Sequence, residues 1–189
     1  MRRLADNNSK MKYYFNVSTT SLRGRHHRIL DGQTTAHQVR KLRPVVKFLT
    51  GDYFTYETRY KQSKIGSPHC RICIDTTTSD QDKPVESVEH IVSSCQATAE
   101  IRTQILSKIV ALLPLSKTSI NINKLLNDMS ILTQFILDPN SLNLANDVRL
   151  HVDDPLSSDI MSLSRDLCYS IHIERLNILK KLTEDQKKS

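Results

Sequence analysis

The 189 residues carry 38% hydrophobic side chains with no Trp, only four Gly and six Pro, a composition that suits a helical core and argues against an all-β sandwich with its many tight turns. No apolar run is longer than I-V-A-L-L at 109–113, far short of the roughly 20 residues that cross a bilayer, and the opening M-R-R-L-A-D-N-N-S-K lacks the apolar segment of a secretory signal. The net charge of +7 is uneven: residues 1–64 hold 14 Lys or Arg against 4 Asp or Glu (+10) and residues 65–189 hold 13 against 16 (−3), which points to a polyanion contact near the N-terminal half or, more plainly, to a solvated basic face.

Residues 1–33 are polar, basic and without sustained periodicity, and read as a flexible leader. Tyr13, Tyr14 and Phe15 are their one apolar cluster, and Arg23, Arg25 and Arg28 surround His26 and His27 next to Gly24. Such a strip can track phosphates through arginine. From 34 to 50 the pattern turns helical: Thr34 or Thr35 can cap, Val39, Leu42, Val46 and Leu49 recur at spacings of three and four, and Gly51 is a natural C-terminal stop. Arg40, Lys41, Arg43 and Lys47 fall on the other faces. Pro44 lacks an N–H and disfavours helical angles at Arg43, which leaves two readings, one kinked helix or a turn followed by a helix beginning at Pro44. Residues 53–64 read as a second basic helix, with Tyr53, Tyr56 and Tyr60 beside Arg59, Lys61 and Lys64. A tyrosine stripe can stack on single-stranded bases, but it more often packs on its own domain's core.

Residues 67–95 hold three of the four cysteines. Cys70 and Cys73 form a CxxC pair, His90 and Cys95 an HxxxxC pair, and 16 residues lie between the pairs. Zinc takes four N or S ligands at tetrahedral corners, commonly supplied as two close pairs joined by a loop. A CxxC turn aims two thiolates at one point. Positions five apart on a regular helix point about 140° away from each other, so His90 is expected inside a short helix over E-S-V-E-H-I-V-S-S-C, with Cys95 at its frayed end. In a reducing intracellular compartment, nuclear or cytoplasmic, the pattern means metal rather than disulfide; the plainer alternative is buried reduced thiols and an incidental histidine. The expected cofactor is one structural Zn²⁺ on a closed Cys₃His shell. Three thiolates leave it about −1 in charge, which Arg71 between the cysteines can offset. Residues 75–84, D-T-T-T-S-D-Q-D-K-P, are expected to form a polar excursion.

CxxC, a polar loop and V-E-H-I-V-S-S-C followed by Arg102 resemble the zinc-binding segment at the C-terminal end of non-LTR retrotransposon reverse transcriptases. There the segment follows a basic helix ending in a Leu-Thr-Gly turn, and F-L-T-G-D-Y stands here at 48–53. The resemblance covers about residues 40–113, with a longer loop between the ligand pairs than is usual in that family. It implies a non-catalytic module, without the polymerase domain, that contacts template RNA or target DNA. Arg23, Arg25, Arg28, Arg40, Lys41, Arg43, Lys47, Arg59, Lys61 and Lys64 are the candidate nucleic-acid contacts.

Three further amphipathic helices are expected. The first spans 97–113 through Ile101, Ile105, Ile109 and Leu112, with Pro114 beyond its end. The second spans 123–137 on Ile122, Leu125, Leu126, Met129, Leu132 and Ile136. The third spans 156–182 through Ile160, Leu163, Leu167, Ile171, Leu176 and Leu179. Cys168 lies beside the last stripe and reads as a small half-buried core residue. The expected fold is mostly α, with a Cys₃His knuckle between helices: a leader at 1–33, basic helices plus knuckle at 34–113, and a helical part of the same domain at 114–189. No catalytic set is visible, since Asp153-Asp154 precedes a proline in a loop and neither GxSxG, a P-loop nor HExxH occurs. Two other readings remain open. In an HNH-type nuclease His90 would be the base and Glu89 would help hold a catalytic metal. The other is a zinc-stabilised protein-interaction module.

Overall fold

The computed structural model describes residues 35–73, 84–141, 144–151 and 153–187. These residues are mostly helical and contain no β-strand; a single antiparallel bridge joins His69 to Val85. The expected α class with a Cys₃His cluster between helices is what the chain adopts. The leader at 1–33 and most of the polar excursion at 75–84 lie outside the described residues.

Helix α1 (Ala36–Thr50) begins where Thr35 closes a capping box: its hydroxyl accepts from Gln38 N at 3.2 Å, and Gln38 Oε1 accepts from Thr35 N at 2.9 Å. It ends at Gly51, whose φ of 68° is the left-handed conformation that glycine adopts without strain. The helix is continuous through Pro44, because buried Val45, Phe48 and Leu49 hold the following turn on the core and offset the lost N–H bond. Tyr53 then stacks on Phe48, ring centroids 4.0 Å apart, and is buried. It precedes the second helix, α2 (Tyr56–Ser63), whose N-cap Thr55 accepts from Thr58 N at 3.0 Å.

Next, the strips 68–70 and 84–86 are tied by Cys70 N donating to Pro84 O and Glu86 N to Pro68 O, each at 2.9 Å. A π-helical turn (His90–Ser94) and a 3₁₀ turn (Gln96–Thr98) lead into α3 (Ala99–Leu112). The one helix expected over 123–137 is two, α4 (Ile122–Asn127) and α5 (Met129–Leu137). Asp128 separates them: its carboxylate accepts from Ser130 N at 2.9 Å and Ile131 N at 3.0 Å, and this cap competes with continuing the helix. Leu126 and Met129, expected on the apolar face, flank the break and are exposed, while Leu125, Leu132 and Ile136 are buried.

Helix α6 (Ser157–Gln186) is 30 residues long, and it packs along α3 and α1. At 1.5 Å per residue it spans about 45 Å. One core joins Val45 of α1, Ile109 of α3, Phe135 of α5 and Ile160, Leu167 and Ile171 of α6. Cys168 is wholly buried rather than half-buried, and burial pushes its thiol up to about 12. Leu176, expected on the same stripe, is exposed. The last buried residue of α6 is Arg175. Among the described residues no helix is long and apolar enough to cross a membrane.

Candidate metal centre

The two ligand pairs meet. The ligand atoms of Cys70, Cys73, His90 and Cys95 all lie within 4.8 Å of one another, and all four residues are buried. Cys73 Sγ is 3.5 Å from both His90 Nε2 and Cys95 Sγ. The cluster can hold a metal ion. His69, one residue before Cys70, is not part of it.

The π turn is what makes HxxxxC work. An α-helix would put His90 and Cys95 on different faces, but here Cys95 N donates to His90 O at 2.7 Å, an i to i+5 bond that adds one residue to the turn. Cys95 follows with φ −59° and ψ 121°, already out of the helix. Ile91 and Val92 anchor the turn in the core, and Ser93 bonds Thr133 Oγ1 and donates to Met129 O, which ties the turn to α5.

Three thiols this close cannot all ionise without a cation among them. The Cys70 hydrogen bond, with help from His90, lowers the Cys95 pKa, while Cys70 is pushed up by that same bond and by burial. Burial first, then the Cys95 charge, raises Cys73. A divalent cation would remove this competition and let all three serve as thiolates. Two neighbours not singled out as site residues by spacing orient the cluster. His90 Nδ1 lies 3.1 Å from Ser94 Oγ, and Arg102 Nη1 donates to Cys95 O at 3.0 Å. Burial lowers the Arg102 pKa while the Cys95 and Cys73 charges oppose that, so this guanidinium sits in the field of the thiolates. Arg71 instead lies 5.4 Å from the Tyr56 ring. The signal for Arg102 was its place in the motif; nothing in the sequence marked Ser94.

The basic residues divide by partner. Arg40, Arg43 and Lys47 lie within an arc of about 60° on α1 and form no ion pair among the described residues; Arg40 and Arg43 are exposed and Lys47 half-buried. Lys41 is held elsewhere, its Nζ 2.8 Å from Asp166 and 6.0 Å from the centre of the Tyr169 ring on α6. On α2, Lys61 pairs with Glu57 and Arg59 is exposed, and Lys64, the residue that caps its C-terminal end, sits 5.5 Å from the Tyr60 ring. Arg23, Arg25 and Arg28 lie outside the described residues. Beside the α1 stripe, burial and then the charges of Arg175, Lys47 and Arg43 hold His172 below its ordinary value. Its Nδ1 lies 2.9 Å from Tyr53 Oη, within hydrogen-bond distance.

Fold and site together define a mostly helical protein with a buried Cys₃His cluster. Comparison with protein-family models, curated proteins and solved structures finds no match to this chain.

Proposed function

We propose that the centre holds one structural Zn²⁺ and that the module it braces grips RNA or DNA, as the resemblance to the tail of non-LTR retrotransposon reverse transcriptases implies. The observation that carries this reading is the convergence of four buried N and S ligand atoms on one point. Zinc bonds of about 2.3 Å to sulfur and 2.0–2.1 Å to nitrogen at tetrahedral angles require S···S edges of about 3.8 Å and S···N edges of about 3.6 Å. The edges from Cys73 are 3.5 Å each, close to that frame. Four protein ligands leave no open position for a substrate or water, so the metal supplies folding free energy rather than chemistry.

The α1 stripe supports the nucleic-acid part. Three cations with no ion-pair partner among the described residues, on one helical face, can each neutralise a phosphate, and little sequence preference follows from such contacts. The HNH-type alternative needs His90 as a general base. With Nε2 committed to a metal in the ligand cluster, 3.5 Å from the Cys73 sulfur, His90 would have no lone pair left for that task, and Glu89 is exposed.

Two measurements test the proposal. Metal content by plasma mass spectrometry should give one zinc per chain in the wild type and a loss in His90→Ala; full retention in the variant would return His90 to a catalytic role. Fluorescence anisotropy with a labelled single strand should show affinity falling with salt, with a slope of log K on log salt of about −2 for three phosphates. A salt-independent affinity would remove the nucleic-acid reading.

A further inference from the structure

Glu86 is the innermost charge of the knuckle. It stands next to Val85 of the one bridge, its N donates to Pro68 O, and its side chain is wholly buried. Glu86 Oε1 accepts from Tyr56 N at 2.9 Å, at the start of α2, and from Arg175 Nη2 at 2.6 Å, on α6. Arg175 is 5% exposed, and its guanidinium lies 5.5 Å from the Tyr53 ring. Tyr53 in turn stacks on Phe48 of α1 and bonds His172 of α6. One carboxylate from the knuckle thus holds together the start of α2, the middle of α6 and, through Tyr53, the helix that bears Arg40, Arg43 and Lys47.

The pair is only half satisfied, since Glu86 Oε2 and Arg175 Nε are both buried without a hydrogen-bond partner. A buried ion pair in that state is a poor source of stability compared with apolar side chains of the same volume. It does penalise separation heavily: with Glu86 withdrawn, Arg175 would be a buried guanidinium with no counter-charge. What keeps Glu86 in place is the knuckle. Its base is two backbone hydrogen bonds around a single bridge, and its inner end is the ligand cluster.

We infer that the Glu86–Arg175 pair couples metal occupancy of the Cys₃His centre to the docking of α6, so that the metal-free protein loosens α6 and the α1 basic face with it. Removing the metal frees Cys70 and Cys73 from His90 and Cys95, the bridge opens, and Glu86 leaves with it. Arg175 must then reach water, which lifts the middle of α6 from Tyr53. The coupling rests on the metal reading of the cluster and is independent of any nucleic acid.

Hydrogen exchange on the full chain reads this directly, with metal content measured on the same samples. Stripping the wild type with a chelator is expected to raise exchange by tenfold or more in the knuckle and also in peptides covering 165–178. Glu86→Gln with its zinc in place should show the faster α6 exchange alone, since Gln can still accept from Tyr56 N but leaves Arg175 without a counter-charge. The double variant Glu86→Gln/Arg175→Met, which keeps that bond and makes the α6 contact apolar, should hold α6 protected with or without metal. If stripping opens the knuckle while α6 exchanges as before, the coupling is wrong and the metal centre stands. An α6 that is equally protected in zinc-loaded Glu86→Gln would overturn it too. A chain that holds no metal at all would overturn both the centre and the coupling.

Discussion

His90 Nδ1 and Ser94 Oγ lie 3.1 Å apart, at the two ends of the π turn. With Nε2 as the ligand of a bound metal, Nδ1 would carry the proton and donate it to Ser94. Ser94 Oγ in turn reaches His90 O at 3.4 Å, so the hydroxyl has an acceptor of its own. Partners of this kind fix the tautomer and the ring plane of a metal-bound histidine.

Ser94→Ala should therefore weaken zinc binding about tenfold or more without changing the ligand set. Competition with a chromophoric chelator gives the affinity, and nitrogen NMR of the imidazole reports whether Nε2 remains bound. An affinity equal to that of the wild type would mean that packing alone orients the ring.

Loss of a ligand is a larger event. Cys73→Ser or Cys95→Ser removes a ligand atom from the cluster, and a structural zinc bound there would contribute folding free energy on the order of 10 kcal/mol, as in small modules. Either variant should lose cooperative unfolding over residues 50–113, followed by circular dichroism and exchange. Cys168→Ala touches none of the ligands and should keep one zinc per chain. A Cys73→Ser protein that melts like the wild type would refute the centre.

The sequence exposed what is local. Two ligand pairs at the right spacing, a threonine cap at Thr34 or Thr35 and the Gly51 stop each depend on residues a few positions apart, and the structure has the pairs, the cap at Thr35 and the stop. The π turn was not legible because five-residue closure is set by how Ile91, Val92 and Ser93 seat on the core, and no side-chain pattern distinguishes it from an α turn. The break at Asp128 had a signal in Asn127-Asp128, which a strong apolar period across it concealed. Tyr53 matched a helical stripe but serves the core, since its nearest ring is Phe48 behind the Gly51 turn. Glu86 and Arg175 are 89 positions apart, and only the packed fold makes them a pair.

Asp154 provides a pH test. Its Oδ2 accepts from Ser116 Oγ at 2.6 Å and from Lys117 N at 3.0 Å, and its Oδ1 accepts from Leu156 N at 3.0 Å just before α6. Burial pushes the carboxyl up, but these donors outweigh it and hold its pKa below the ordinary carboxylate value. A depressed folded value means that the stabilisation is complete above the unfolded value of about 4 and is lost as pH falls through the folded one. Asp154→Ala should cost on the order of 3 kcal/mol at pH 7 in urea unfolding, and the gap to the wild type should close in acid. Any metal held by the thiols would leave both proteins together there, so the difference between them isolates Asp154. A gap that stayed constant down to pH 2 would mean that the side chain acts by packing rather than by charge.

Charge reversal separates the two basic helices. Arg43 and Lys47 stand on α1 with no acidic partner among the described residues, whereas Lys61 already pairs with Glu57 on α2. If α1 carries the nucleic-acid contact, Arg43→Glu/Lys47→Glu should lower single-strand affinity by tenfold or more at low salt and reduce the magnitude of the salt slope by about 1.4. Lys61→Glu should change affinity by less than about twofold, because a surface charge already shared with a carboxylate has little left to offer a phosphate. Arg43 and Lys61 face solvent and Lys47 is half-buried rather than in the core, so both variants should keep the wild-type metal content and a melting midpoint within a few degrees. Equal losses from the two substitutions would point to a diffuse electrostatic attraction, and an unchanged affinity in Arg43→Glu/Lys47→Glu would move the contact off α1.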